Sequence, residues 1–178
     1  GDDGTTGLVD GSRVAKNDLR MAAMGDVDEA NSVIGVAIAA IGGGYPADLL
    51  ESVQNDLFDL GADLAMPGED FTPGEMTLRI VPAQVTRIEA AIDEANAKLE
   101  PLRSFILPGG SERAAAIHLA RAIARRAERT AVAASHEVSL NPQALAYLNR
   151  LSDLLFVLAR EANLNRGGDV LWKPGANR

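Results

Sequence analysis

SERAAAIHLARAIARRAERTAVAA, residues 111–134, is the stretch that decides the fold. Ala116, Ala120, Ala124, Ala127 and Ala131 recur at helical spacing and form a thin face. A second helix can press closely against such a face. Ser111 stands where an N-cap belongs, its hydroxyl able to accept from an otherwise unpaired N–H of the first turn. The rest of the 178-residue chain suits such a partner: 47% of it is hydrophobic but only 4% aromatic. The core must therefore be built from Ala, Leu, Val and Ile, which favours helix on helix.

Working outward, four more helices are predicted. One starts at a cap on Asn17 or Asp18 and runs to about Ala40, with Ala22, Val27, Ala30, Ile34 and Ala37 at helical spacing. Gly25 and Gly35 lie inside it, each costing about 1 kcal/mol against Ala, so a packing or ligand reason is expected. IGGGYP (41–46) breaks the chain. The next helix spans about 47–64, with Leu50, Val53, Leu57, Leu60 and Leu64 as its apolar stripe. MPGEDFTPGE (66–75) reads as a surface loop. A further helix spans about 82–99, with Val85, Ile88, Ile92 and Leu99 inward. After FILPGGS (105–111) and the alanine-faced helix, the last one begins at Asn141-Pro142, an N-cap and N1 pair, and runs to about Leu164. Leu145, Leu148, Leu155, Leu158 and Ala162 are its core positions. Five helices with no strand-rich half predict an all-α, five-helix antiparallel bundle: one domain, 1–178, with an opening loop at 1–17, the bundle at 18–164 and a tail at 165–178.

Charge narrows the function classes. The net charge of −8 argues against nucleic acid or an anionic membrane as partner, and no apolar run reaches transmembrane length. Without cysteine there is no disulfide and no thiolate metal site, and a reducing, cytoplasmic location is allowed. Against this acidic background, residues 113–129 hold five arginines and one acid, Glu128. His118, Arg121, Arg125 and Arg129 share one helix face. A planar guanidinium fork suits phosphate; the plainer reading is a solvated basic face paired with acids of its neighbours.

Two other stretches leave similar choices. On the last helix, Asn149 and Asp153 lie one turn apart, fit for an adenine edge, a ribose hydroxyl or a partner arginine, and equally for plain surface. GDDGTTGLVDG (1–11) has four glycines and three aspartates around Thr5 and Thr6. It is either a frayed terminus or a backbone nest for phosphate, with Arg13 and Lys16 close behind. It is not a Walker A loop, which needs GxxxxGK[ST] between strand and helix.

Together these blocks carry a resemblance. GDDGTTGL (1–8), GDVDEANS (25–32), QNDLFDLGADLA (54–65), FILPGGS (105–111), HLARAIARRAER (118–129), NRLSDLLFVLAR (149–160) and VLWKPG (170–175) resemble the PduO-type ATP:cob(I)alamin adenosyltransferases. The likeness covers essentially the whole chain. It implies a ferritin-like, cobalamin adenosyltransferase-like bundle that forms homotrimers with active sites between subunits. It also implies transfer of the 5′-deoxyadenosyl group of ATP to the Co(I) of cobalamin, with release of triphosphate.

The resemblance assigns roles residue by residue. Gly1, Asp2, Gly4, Thr5, Thr6 and Gly7, followed by Arg13 and Lys16, match the ATP loop, with Mg²⁺ carried by ATP. Arg125 matches the polyphosphate arginine, and Arg121 one that pairs across the interface with the acid here at Asp28. Glu128 and Asn149 match nucleotide positions. Phe105 matches the aromatic that fills the lower face of four-coordinate Co(II). Asp153 and Trp172 are expected on the cobalamin side, and His118 is expected to be structural. Family members usually carry Thr-Lys-Thr or Thr-Arg-Thr before GDxG, a stretch absent from this sequence, which opens at Gly1. The other readings on the same fold are a non-catalytic ATP or cobalamin carrier or sensor, and a purely structural bundle. Handover of the product to an adenosylcobalamin-dependent mutase is compatible with catalysis.

Overall fold

The computed structural model describes residues 1–75 and 77–178. Its elements are strands β1 (Thr5–Gly7) and β2 (Arg13–Ala15), and helices α1 (Leu19–Ile41), α2 (Ala47–Ala65), α3 (Pro82–Asn96), α4 (Glu112–Ser135) and α5 (Pro142–Glu161). A 3₁₀ turn, Leu164–Arg166, follows. The caps explain the helix starts: Asp18, Ser111 and Asn141 each accept a backbone N–H of the first turn through the side chain. Gly42 ends α1 in the left-handed conformation, which a residue with a Cβ rarely adopts.

Consecutive helices alternate in direction. Side by side the order is α2, α1, α4, α5, α3. Asn31 and Gln54 exchange side chain–backbone hydrogen bonds between α1 and α2. Asp26 meets Thr130, and Glu29 meets Arg126, between α1 and α4. These pairs are antiparallel, as is α4 against α5. α3 and α5 both run the same way, so they pack in parallel: Glu89 reaches Arg150 and Lys98 reaches Glu161.

The alanine face of α4 is buried as expected, with Ala120, Ala124, Ala127 and Ala131 fully enclosed. It packs against Ala23, Val27, Ala30, Ile34 and Ala37 of α1 and the leucines of α5 in one continuous core. Ala22 was expected inward but is exposed; Ala23 takes its place. Gly35 has a packing reason, since a Cβ there would lie 3.3 Å from the Gln54 amide nitrogen, whereas Gly25 faces open space.

Two helix ends and one loop differ from expectation. α3 stops at Asn96, not Leu99, where Glu100-Pro101 turns the chain away from helix. α5 stops at Glu161 because Asn163 is drawn aside to hydrogen-bond the Gly109–Ser111 turn. The opening loop contains a two-stranded hairpin, Thr5↔Ala15 to Gly7↔Arg13, where no strand was expected. Its Asp10-Gly11 corner closes through Ser12 N–H donating to the Asp10 carboxylate at 2.9 Å, with Gly11 at φ 83°.

Buried polar groups fasten the end of the bundle nearest the hairpin. Asp63 accepts from Arg79 at 2.7 Å, from the Ile80 N–H at 2.8 Å and from the Asn141 amide at 2.6 Å. Asp56 accepts from Tyr147 at 2.8 Å, from Gln84 at 2.9 Å and from Arg87. Arg20 donates to Leu64 O and Ser139 O, tying α1 to the end of α2 and to the connection between α4 and α5.

Candidate active site

A cleft of about 570 Å³ opens at the end of the bundle where α4 begins and α5 ends. Leu102, Phe105, Ile106, His118, Arg121 and Phe156 line it. Phe105 precedes the PGGS turn that feeds Ser111, the cap of α4, so the turn chemistry that starts the helix also carries the aromatic. Its ring is 76% exposed. Trp172 meets it edge-on, with centroids 5.8 Å apart. The tail adds a short extended pairing: Trp172 N–H donates to Phe105 O at 2.9 Å and Leu107 N–H to Val170 O at 2.7 Å.

His118 and Arg121 stand one turn apart on α4. His118 is only 2% exposed, yet neither ring nitrogen has a hydrogen-bond partner among the described residues. Burial and the charge of Arg121 hold its pKa below the ordinary value, which favours the neutral ring. The Arg121 guanidinium is itself partly desolvated beside Arg125, and its Nε–H has no partner. The predicted basic stripe thus tilts outward along α4, from buried His118 through half-buried Arg121 to exposed Arg125 and Arg129.

Farther along α4, Glu128 accepts from the Asn149 amide of α5 at 2.8 Å. The structure therefore joins two of the expected nucleotide residues. Asp153 is exposed and lies 3.5 Å from Arg150 of its own helix, not beside an arginine of α4. Phe156, on the same stripe as Asn149 and Asp153, points into the cleft.

The hairpin lies at the other end of the bundle, where Val9 N–H meets Ala65 O at 3.4 Å. α4, about 36 Å long at 1.5 Å per residue, separates the two ends. Within the hairpin Thr5 is already engaged: its hydroxyl donates to Asp3 at 2.8 Å and accepts from Arg13 Nε at 3.0 Å. Asp3, accepting from the Thr5 N–H and hydroxyl, is held below the usual carboxylate range. Lys16 is anchored through its N–H to Gly4 O at 2.9 Å, with its ammonium beside Gly1. Asp28 is exposed on the outer side of α1, on a groove of about 350 Å³ that it shares with Met24, Asn31 and the 72%-exposed Phe58. Among the described residues no ion pair joins Asp28 to Arg121 within one chain.

The family model described as cobalamin adenosyltransferase matches residues 1–162. The chain belongs to the cobalamin adenosyltransferase family. The corrinoid adenosyltransferase of Mycobacterium bovis is 51% identical over 184 residues, covering 100% of this chain and 92% of that protein. A solved phenylalanine-to-alanine variant of the PduO-type ATP:corrinoid adenosyltransferase of Lactobacillus reuteri, complexed with cobalamin and ATP, has a TM-score of 0.86 at 36% identity, covering 97% of this chain and 96% of that one. An arginine-to-lysine variant of the same enzyme, complexed with ATP, has a TM-score of 0.85 at 36% identity, covering 97% of both chains.

For a member of this family, the residues that reading the sequence missed are those behind the cleft. The sequence singles out neither Asn163 nor Asp169, and it places Phe156 and Arg160 on the stripe of Asn149 and Asp153 without a role; the four shape the cleft or hold its walls. Arg160 sat within a quoted block, but its turn toward Asp169 is a tertiary event with no periodic signal.

Proposed function

We propose that this cleft takes the corrinoid and that the arginine face of α4 leads from it to the nucleotide. The chain is a corrinoid adenosyltransferase, transferring the 5′-deoxyadenosyl group of ATP to cob(I)alamin. The lone pair of Co(I) attacks C5′, the C5′–O bond breaks, and triphosphate leaves with the bonding electrons. Cobalt is the nucleophile, so no side chain need act as base. The protein positions C5′ against cobalt and neutralises the leaving charge.

The observation that carries the assignment of roles is one helix bearing, in order, a buried His118 and a half-buried Arg121 at an aromatic cleft and then exposed Arg125. Phe105 fills the lower face of Co(II), excluding an axial ligand there, and Trp172 closes over the corrinoid beside Asp153. Arg125 meets the triphosphate; Glu128 and Asn149 hold the nucleoside. Gly1, Asp2, Gly4, Thr5, Thr6 and Gly7 of the hairpin, with Arg13 and Lys16, wrap the phosphates and the Mg²⁺ that arrives with them.

The hairpin of one chain lies a helix length from its own Phe105, which supports a site shared between subunits of a homotrimer. Asp28 then pairs with Arg121 of a neighbouring copy, and the groove around Phe58 packs against that copy. Among the described residues no helix is long and apolar enough to cross a membrane. A cytoplasmic setting and direct handover of product to a mutase accord with this reading.

The test is anaerobic. Protein, chemically reduced cob(I)alamin and Mg-ATP are mixed and the visible spectrum is followed for adenosylcobalamin. Conversion that falls by about 10²–10³ in Arg125→Ala, with the oligomer intact, is the expected result. A parental rate in Arg125→Ala would remove the triphosphate role, and no conversion by the parent would leave a carrier on the same fold.

A further inference from the structure

Phe105 presents a problem of support. A side chain 76% exposed gains little from packing, yet the role proposed for it requires a fixed position. Its backbone is held instead, and the holding converges on the end of α5.

Arg160, on the last turn of α5, is 8% exposed. Its Nε–H donates to Asp169 of the tail at 2.9 Å, and another of its nitrogens donates to Glu100 O at 2.8 Å. One guanidinium thus grips the chain five residues before Phe105 and also the tail segment that pairs with it. From Asp169 the tail runs directly into Val170, Leu171 and Trp172, which bond Leu107, bridge Ile106 and bond Phe105.

Asn163 grips the other side. Its carbonyl oxygen accepts from Ser111 N–H at 2.9 Å, and its amide donates to Gly109 O at 3.0 Å. It lies so close to Gly110 that a Cβ there would stand 2.3 Å from its oxygen. Gly110 also has φ 105°, so glycine is required twice over. Residues 100–111 are therefore pinned at both ends, with Phe105 between the pins.

We propose that Arg160 and Asn163 are positioning residues, which set where Phe105 stands by strapping the tail and the Gly109–Ser111 turn to the end of α5. Neither touches the reacting atoms. The inference rests on the reading of Phe105 as the lower-face aromatic.

Trp172 is the single tryptophan, so its fluorescence reports the strap directly. Asp169→Ala releases the tail without altering α5, and Asn163→Ala releases the turn. For each, three quantities are compared with the parent. They are Trp172 emission with acrylamide quenching, the adenosylation rate from chemically reduced cob(I)alamin, and the rate from cob(II)alamin with a reductant.

In Asp169→Ala, Trp172 emission is expected to move to the red and quenching to rise, while helical far-UV signal and Mg-ATP affinity stay parental. The rate from cob(II)alamin should fall about tenfold relative to the rate from cob(I)alamin, the order of loss that a sub-ångström to ~1 Å misplacement of a positioned group causes. Asn163→Ala should lower the same ratio with less change at Trp172. Unchanged Trp172 emission in Asp169→Ala would overturn the strap. A freed Trp172 with a parental rate ratio would overturn its link to Phe105. Phe105→Ala is measured alongside: a parental ratio there means that the lower-face role has failed, and the strap is then judged on Trp172 alone.

Discussion

Asn149 on α5 donates its amide to Glu128 on α4 at 2.8 Å, while its own carbonyl oxygen accepts from Arg150 at 2.7 Å. Both ends of the amide are occupied, so its plane is fixed across the seam between two helices.

On the proposed reading, in which Asn149 and Glu128 hold the nucleoside, that fixed plane gives a test. Asn149→Ala removes both of these hydrogen bonds and unlocks Glu128, which should raise KM for ATP about tenfold. KM for cobalamin should stay parental. Initial rates with each substrate varied in turn check this; equal rises in both constants would point to general loosening of the α4–α5 seam.

Phe105→Ala should leave stability within about 0.5 kcal/mol, because the ring is largely exposed. Its effect should appear in activity, with a larger loss when the reaction starts from cob(II)alamin and a reductant than from chemically reduced cob(I)alamin. Equal losses by the two routes would remove the lower-face role.

His118 gives the protein an acid-side weakness. Its folded pKa lies below the ordinary 6.5, through burial first and the charge of Arg121 second, with Asp169 opposing them. The unfolded chain therefore binds more protons just below pH 6.5, and stability falls as pH drops through that window. For one proton the slope is at most about 1.4 kcal/mol per pH unit. Thermal melts from pH 7.5 to 5 should show a shallower acid-side fall in His118→Gln than in the parent. An unchanged fall would place the sensitivity in the carboxylates.

Asp63→Ala should be the most damaging of these changes to stability. It leaves Arg79 buried without its carboxylate and the Ile80 N–H and Asn141 amide without their acceptor. A cost of about 3–5 kcal/mol is expected, read from urea denaturation. None of the groups that Asp63 bonds lines the cleft, so KM for cobalamin in the folded protein should not move.

Much of the architecture follows from the one-dimensional pattern. Alanine at helical spacing on 111–134, leucine stripes on 47–64 and 141–164, and cap residues at Asp18, Ser111 and Asn141 each act over a few residues, so they are legible locally. The hairpin was not read from the sequence: its strands are three residues each, too short for an alternating pattern to stand out among the glycines around them. The arginine face was visible as composition. Its division into a half-buried Arg121 and an exposed Arg125 was not.

The order of the helices, the parallel packing of α3 on α5 and the separation of hairpin from cleft are decided only in three dimensions. Each depends on which apolar faces meet across dozens of residues, and hydrophobic burial carries no address of its own. The same holds for Arg160 and Asn163. The sequence alone determined that the chain forms helices with an arginine face. Only the tertiary structure decided which carboxylate and which turn those two side chains reach, because a hydrogen bond's worth depends on burial and geometry that distant residues supply.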